Sequence, residues 1–326
     1  MTRPMMCPGD GLNELGELWA RSHRRSRVVT CIPVRVTLIV NPRSGRGAAA
    51  RVAGTVASTL RAAVPELAAT VTADAAATSR LAALAAQRGD DVLAVLGGDG
   101  TAHLAAQAVA GSGTALAVLP SGTGNDLAAA LGIPTDPVAA ARHVADALRR
   151  GQRRQIDLGR VEGGACFTTV LCTGFDASVS ARANAMRWPA GPRRYDLAVL
   201  AELAALTPRR VRVHAGGAEV DLEAILVAVG NGPSYGGGLR ICPDATLDDG
   251  LLDVIVIGAV TRRRLLRVFP RLRVGGHVDE PEVTVLRAAT ARIDGDPGWP
   301  VYADGEPQRT LPVTVHCEPG ALTVVA

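Results

Sequence analysis

Three glycine-rich segments carry the residue types that could handle a polyphosphate: Asn41-Pro-Arg-Ser-Gly45, Gly97-Gly-Asp-Gly-Thr101 and Pro120-Ser-Gly-Thr-Gly-Asn-Asp126. Glycine lets the main chain approach an anion with no Cβ in the way, and its N–H groups can turn inward. Thr101 and Thr123 add hydroxyl donors. Asp99 differs in kind. A carboxylate in a phosphate cradle is repulsive unless a divalent cation lies between, which points to magnesium held directly or through water. Asp126 could share that work, or could cap a helix beside Asn125.

Each segment follows a strand-like run: Val34–Val40, Asp91–Leu96 and Ala115–Leu119. In a parallel sheet all three loops then lie at the carboxyl edge, and a helix starting after each adds the positive end of its dipole. The spacing predicts helices over 47–63, 77–88, 101–110, one beginning near Asp126 and one over 136–150, with Asp136-Pro137 as cap and first-turn proline, and a short strand near 68–72. This alternation predicts an α/β domain with a parallel sheet over 34–150. Beyond 151 the pattern changes. Strand-like runs at 154–161, 166–171, 210–215, 219–229, 251–257, 282–286, 299–303, 312–317 and 321–325, broken by Gly, Pro and Asp turns, predict a mainly antiparallel β domain over 151–326. Helices are expected within it near 176–186, 195–206 and 261–270. Residues 1–33 show no sustained periodicity and are expected to be a poorly ordered extension.

Composition narrows the chemistry. The 326 residues suffice for two domains sharing a cleft. No lysine occurs, which excludes a P-loop lysine, a Schiff base and the lysine of a protein kinase. Arginine clusters at 24–27, 149–154, 193–194, 209–210 and 262–264 suit an anionic surface. With aromatics at 3%, base stacking is poorly served, so a bilayer fits better than nucleic acid. The six cysteines show neither CxxC spacing nor a disulfide framework, so a reducing compartment is expected. No apolar stretch reaches the roughly 18 residues needed to cross a membrane. The six histidines form no zinc-ligand spacing.

The order NPRSG, GGDGT, PSGTGNDLA, then Gly174-Phe-Asp-Ala177, Asp248-Asp-Gly250 and Asp304-Gly-Glu306 resembles the diacylglycerol kinase catalytic-domain family, in its bacterial soluble lipid-kinase branch. The resemblance runs from about residue 34 to the end. It implies a nucleotide-binding α/β domain followed by a β-sandwich that takes the lipid acceptor, with ATP and the active site in the cleft between them. It implies that Asn41, Pro42, Arg43, Ser44 and Gly45, with Gly97, Gly98, Asp99, Gly100, Thr101, Ala102 and His103, line the nucleotide, and that Thr123 and Thr72 contact it. Where the family often has a larger aliphatic residue and Asn after Gly-Gly-Asp-Gly-Thr, this chain has Ala102-His103, and it reads Ala75-Ala-Ala77 where Gly-Asp-Ala is common.

Glu306 matches the family's general base, and the physical case is that a lipid hydroxyl is a poor nucleophile until a carboxylate accepts its proton. Asp249, with the carbonyls of Thr246 and Leu251, matches a second, structural magnesium site away from ATP; a plain Asp-Gly hairpin turn explains the same residues. The expected activity is ATP- and magnesium-dependent phosphorylation of the hydroxyl of diacylglycerol or a related lipid, in phospholipid synthesis. The expected place is the cytoplasm, peripherally at the inner face of the membrane, with a homodimer left open.

Three rival readings remain. Gly45-Arg-Gly47-Ala-Ala-Ala50 satisfies a dinucleotide fingerprint, but no clear acidic residue ends the second strand. An NAD kinase or a sphingoid-base or ceramide kinase would share Gly-Gly-Asp-Gly-Thr, and the first of these lacks a second acidic motif here. A non-enzymatic nucleotide sensor would leave Asp99, Asp126 and Glu306 idle.

Overall fold

Continuous apolar runs are the signature of parallel strands buried on both faces, and three of them form the centre of the first sheet. In the computed structural model, which describes residues 34–186, 188 and 193–326, β1 (Val36–Val40) lies between β2 (Leu67–Val71) and β3 (Val92–Gly97). β3 pairs in turn with β4 (Ala115–Pro120), and all these pairings are parallel. The connecting helices are α1 (Ser44–Arg61), α2 (Ala75–Gln87), α3 (Asp99–Val109), the short α4 (Asp126–Ala130) and α5 (Pro137–Arg150). Asp136 caps α5 by accepting the Ala139 N–H at 2.7 Å, with Pro137 in the first turn as the spacing predicts. Alanines such as Ala49, Ala82 and Ala105 let these helices approach closely, and Leu38, Leu60, Leu93 and Leu119 fill the core.

After α5 every strand pairing within the second half is antiparallel. Its elements are β5 (Arg154–Val161), β6 (Cys166–Phe167), β7 (Val170–Gly174), α6 (Phe175–Ala185), α7 (Arg193–Ala204), β8 (Arg209–Ala215), β9 (Ala218–Gly230), β10 (Leu252–Gly258), α8 (Arg262–Val268), β11 (Val283–Ala288), β12 (Thr290–Gly295), β13 (Pro300–Ala303), β14 (Glu306–Thr310) and β15 (Val313–Val324). Phe167, Val227, Val254, Ile293, Trp299 and Val315 centre its core. The expected fold class, a parallel α/β sheet followed by an antiparallel sandwich-like half, is the one present.

Two strands escaped the sequence pattern. β14 is a largely exposed edge strand reading Glu-Pro-Gln-Arg-Thr, and β12 alternates only weakly, so neither carries an apolar run. The two runs expected at 312–317 and 321–325 are one strand, β15, whose pairing with β5 breaks register between Glu318 and Leu322. Its far end lies parallel to β4, with Val324 opposite Leu116, and Leu322, Val324 and Val325 are buried in the first core. Residues Val34–Ala326 accordingly form one compact unit, while the extension expected over 1–33 lies outside the described residues.

Candidate active site

The three glycine loops meet at the carboxyl edge of β1, β3 and β4 and are bonded to one another. Asn41 Nδ2 donates to Thr101 Oγ1 at 3.1 Å, Ser44 Oγ donates to the Ser121 carbonyl at 3.1 Å, and the Ser121 N–H donates to the Gly97 carbonyl at 2.7 Å. The approach is too close for side chains. A Cβ on Gly122 would stand 2.6 Å from Gly98 Cα, and one on Gly45 would stand 2.3 Å from the Ser121 carbonyl oxygen. Gly45, Arg46 and Gly47 all have positive φ, so the chain turns sharply here before α1 becomes regular. At the junction the buried Ser121 hydroxyl has no hydrogen-bond partner. An orphaned hydroxyl inside a cradle of close-packed glycines suits an anionic ligand that accepts from it.

Asp99, the first residue of α3, does not face open solvent. Its Oδ1 accepts the Asp126 N–H at 2.7 Å and its Oδ2 accepts the Asn125 N–H at 2.6 Å. Burial pushes this carboxyl above its usual range, and the nearby Asp126 and Asp304 charges add to the rise, while the two N–H bonds oppose it. Asp126 relays the connection onward. Its carboxylate accepts the Gly237 N–H at 2.9 Å, the Gly238 N–H at 2.8 Å and the Ser234 hydroxyl at 3.2 Å, all from the second half. Its carboxylate thus joins the two halves and does not cap α4.

Among the described residues no three His, Cys, Asp or Glu side chains converge on a ready-made metal site. Magnesium needs fewer, since it commonly takes one or two carboxylates and completes its shell with water and phosphate. Two N–H bonds leave about two of the Asp99 carboxylate's four acceptor positions, so Asp99 fits a magnesium that arrives with a nucleotide.

Glu306 comes from the opposite half. Ala303 and Glu306 close the β13–β14 hairpin around Asp304 and Gly305, whose φ values of +49° and +81° define a two-residue turn of the kind that hairpins favour. The exposed Glu306 side chain reaches the first domain: its Oε1 lies 4.0 Å from where a Cβ on Gly100 would stand. Thr123 is exposed beside the third loop, and Pro42 and Arg43 belong to the first turn, where the Arg43 N–H donates to Asn41 Oδ1 at 3.1 Å.

Three residues expected at the nucleotide are otherwise engaged. Ala102 packs in the first core and gives its N–H to the Gly98 carbonyl. His103 is buried and turned to Asp304, with Nδ1 3.1 Å from Oδ2. Thr72 stands at the sheet edge beyond β2, but its N–H and hydroxyl both donate to the Val40 carbonyl, at 2.9 and 3.2 Å.

Of the residues matched to a second magnesium, the Asp249 carboxylate is partnered within the chain. The Asp249 carboxylate is bonded by the Arg287 guanidinium and accepts the Leu251 N–H at 3.0 Å, and Arg287 Nε also holds Asp253 Oδ1 at 2.9 Å. The Thr246 hydroxyl points to the Asp244 carbonyl at 3.4 Å, and the Gly250 N–H is taken by Asp157 at 2.7 Å. Arg287 thus brings a positive charge to both Asp249 and Asp253.

Sequence reasoning gave no role to Ser121, Ser234, Asp176 or Asp304. Asp304 was in view within Asp-Gly-Glu, and Asp176 within Gly-Phe-Asp-Ala. Asp176 lies in the first turn of α6, bonded by the Tyr235 hydroxyl. Burial pushes its carboxyl up to about 6 although that hydroxyl draws it down.

An anion cradle at a parallel-sheet edge, faced by a carboxylate from an antiparallel lobe, is the arrangement of a phosphotransferase. Comparison with known proteins specifies which kind. The "Diacylglycerol kinase catalytic domain" model matches residues 35–161, and the "YegS C-terminal NAD kinase beta sandwich-like domain" model matches 169–326. A protein named "Diacylglycerol kinase" from Mycobacterium tuberculosis is 42% identical over 89% of this chain and 94% of its own. One named "Probable lipid kinase YegS-like" from Pseudomonas aeruginosa is 34% identical over 79% of this chain and 84% of its own. A crystal structure of a diacylglycerol kinase from Bacillus anthracis str. Sterne shares the fold, with a TM-score of 0.69 at 21% identity over 90% of this chain and 96% of that one. The chain belongs to the diacylglycerol kinase catalytic-domain family, and is a phosphotransferase of the lipid-kinase type with an alcohol group as acceptor.

Two outcomes follow from the site. Since Arg287 satisfies Asp249, magnesium chloride at constant ionic strength should move the melting temperature of the nucleotide-free protein by less than about 1 °C; a rise of several degrees that Asp249→Asn abolishes would contradict the ion pair. Asp176 binds its proton more tightly when folded, so its contribution to stability is present at low pH and is lost as pH rises through about 6. Asp176→Asn should therefore raise the melting temperature near neutrality and flatten its change toward pH 5, whereas an unchanged pH profile would place the titration elsewhere.

Proposed function

We propose that this chain transfers the γ-phosphoryl group of magnesium-ATP to the hydroxyl of diacylglycerol or a closely related lipid, with Glu306 as the general base. The observation that carries the reading is the meeting of Glu306 with the Gly-Gly-Asp-Gly-Thr loop at Gly100, across the two halves of the chain. The names borne by the relatives from Mycobacterium tuberculosis and Pseudomonas aeruginosa support the lipid as acceptor.

In this reaction the triphosphate lies among the three loops, where the Ser121 and Thr123 hydroxyls and loop amides donate to its oxygens. Asp99 and its neighbours would hold magnesium, which neutralises charge on the phosphates when bound. Glu306 accepts the proton of the lipid hydroxyl as that oxygen bonds to the γ-phosphorus. The bond from γ-phosphorus to the bridging oxygen breaks, and its electron pair leaves with ADP.

The acceptor's tails stay at the bilayer, so the enzyme works at the membrane surface. Arginine supports this weakly, because several cluster members are already paired: Arg154 with Asp248, Arg209 with Asp296, Arg210 with Asp221, and Arg264 with Glu280 and Glu282. The described residues include no helix long and apolar enough to cross a membrane.

The test offers magnesium-ATP with diacylglycerol, ceramide, a sphingoid base or a prenol in mixed micelles and follows transfer of labelled phosphate. Wild type should label diacylglycerol first, and Glu306→Gln should lose about 100-fold or more in kcat, as expected for a positioned base. Preferred labelling of another lipid would reassign the acceptor, and an unimpaired Glu306→Gln would remove the base.

A further inference from the structure

His103 stands where the family resemblance leads one to expect Asn, and its side chain is engaged. It lies one turn into α3, directly behind Gly-Gly-Asp-Gly-Thr, and its ring crosses to Asp304, two residues before Glu306. Both side chains are nearly sealed from water, at 6% and 4% exposure.

Asp304 is saturated with donors. Its Oδ1 accepts the Thr169 N–H at 2.9 Å and hydroxyl at 2.7 Å, and its Oδ2 accepts the Thr168 N–H at 2.7 Å and hydroxyl at 3.0 Å beside His103 Nδ1 at 3.1 Å. Burial alone would raise this carboxyl. The His103 contact, the Thr168 amide and the Thr169 hydroxyl together more than reverse that, holding it below the usual range. An ionised carboxylate only accepts, so His103 must present Nδ1–H to it. The far side of the ring is held as well. Gln107 Nε2 lies 3.4 Å from His103 Nε2 and also donates to the Cys166 carbonyl, while Gln107 Oε1 accepts the Cys166 N–H at 3.2 Å. Gln107 thereby holds the ring on the side away from Asp304.

We infer that His103 is a positioning residue for the phosphoryl transfer: through Asp304 it locks the turn that carries Glu306 to the helix that carries the Gly-Gly-Asp-Gly-Thr loop. The inference rests on the function proposed above. A base at the start of an exposed edge strand, next to a two-residue turn, has few local restraints, and small displacements of a reacting group are costly in rate. The buried His103–Asp304 contact supplies a restraint that spans both halves of the site.

The experiment compares His103→Ala, His103→Leu and His103→Asn with Glu306→Gln. It uses steady-state kinetics in diacylglycerol micelles and calorimetric binding of a non-hydrolysable ATP analogue. Ala and Leu should lower kcat about tenfold or more, with KM for ATP and analogue affinity within about twofold of wild type. Asn, which keeps an N–H donor toward Asp304, should recover most of that loss. A wild-type kcat in His103→Ala overturns the inference, as does an Asn variant no better than Leu, or a loss of analogue binding that matches the loss of kcat. If Glu306→Gln itself keeps full activity, the underlying reading of the base fails instead.

Discussion

Two carboxylates that accept main-chain N–H groups hold this molecule's site together. Asp99 takes the amides of Asn125 and Asp126, and Asp126 takes those of Gly237 and Gly238. The second loop is thereby tied to the third, and the third to the antiparallel half. Charge-assisted bonds of this kind are shorter and stronger than neutral ones, and here they replace the side-chain packing that glycine loops cannot provide. Without the relay the cradle would rest on neutral bonds such as Asn41–Thr101, Ser44–Ser121 and Ser121–Gly97.

The same residues set the site's electrostatic character. A chain without lysine gathers carboxylates at the proposed phosphate site, and burial raises the carboxyl of Asp99. Such a site is poorly disposed to a bare anion. It becomes favourable when a cation accompanies the phosphates, because an added positive charge lowers the cost of keeping the acids ionised. Elsewhere the chain uses arginine for that purpose, as where Arg287 spans Asp249 and Asp253. That pairing is invisible in sequence, since Arg287 lies 38 positions from Asp249.

Much of the fold was legible because it is written in apolar periodicity. The runs read at 34–40, 91–96 and 115–119 are the buried strands β1, β3 and β4, and Asp136-Pro137 marked the start of α5. What could not be read was non-local. The polar edge strand β14 lacks an apolar pattern, and the return of Val324 to β4 depends on a pairing over 200 residues apart in the chain. The site divides the same way. The glycine loops and Glu306 were visible from residue types and from the family resemblance. The burial of Ala102 and His103, the spent hydroxyl of Thr72 and the roles of Asp304 and Ser234 needed coordinates, because each turns on what a side chain meets across the molecule.

Hydrogen–deuterium exchange with and without a non-hydrolysable magnesium-ATP analogue tests the central claim most directly, namely that the three loops and the segment joined to Asp126 form one anion site. Amides in 43–47, 97–101, 121–126 and 235–238 should slow together on addition of the analogue, while 214–219 and 288–290, at the β8–β9 and β11–β12 turns, stay unchanged. Protection confined to one loop, or found outside all four segments, would contradict a shared cradle.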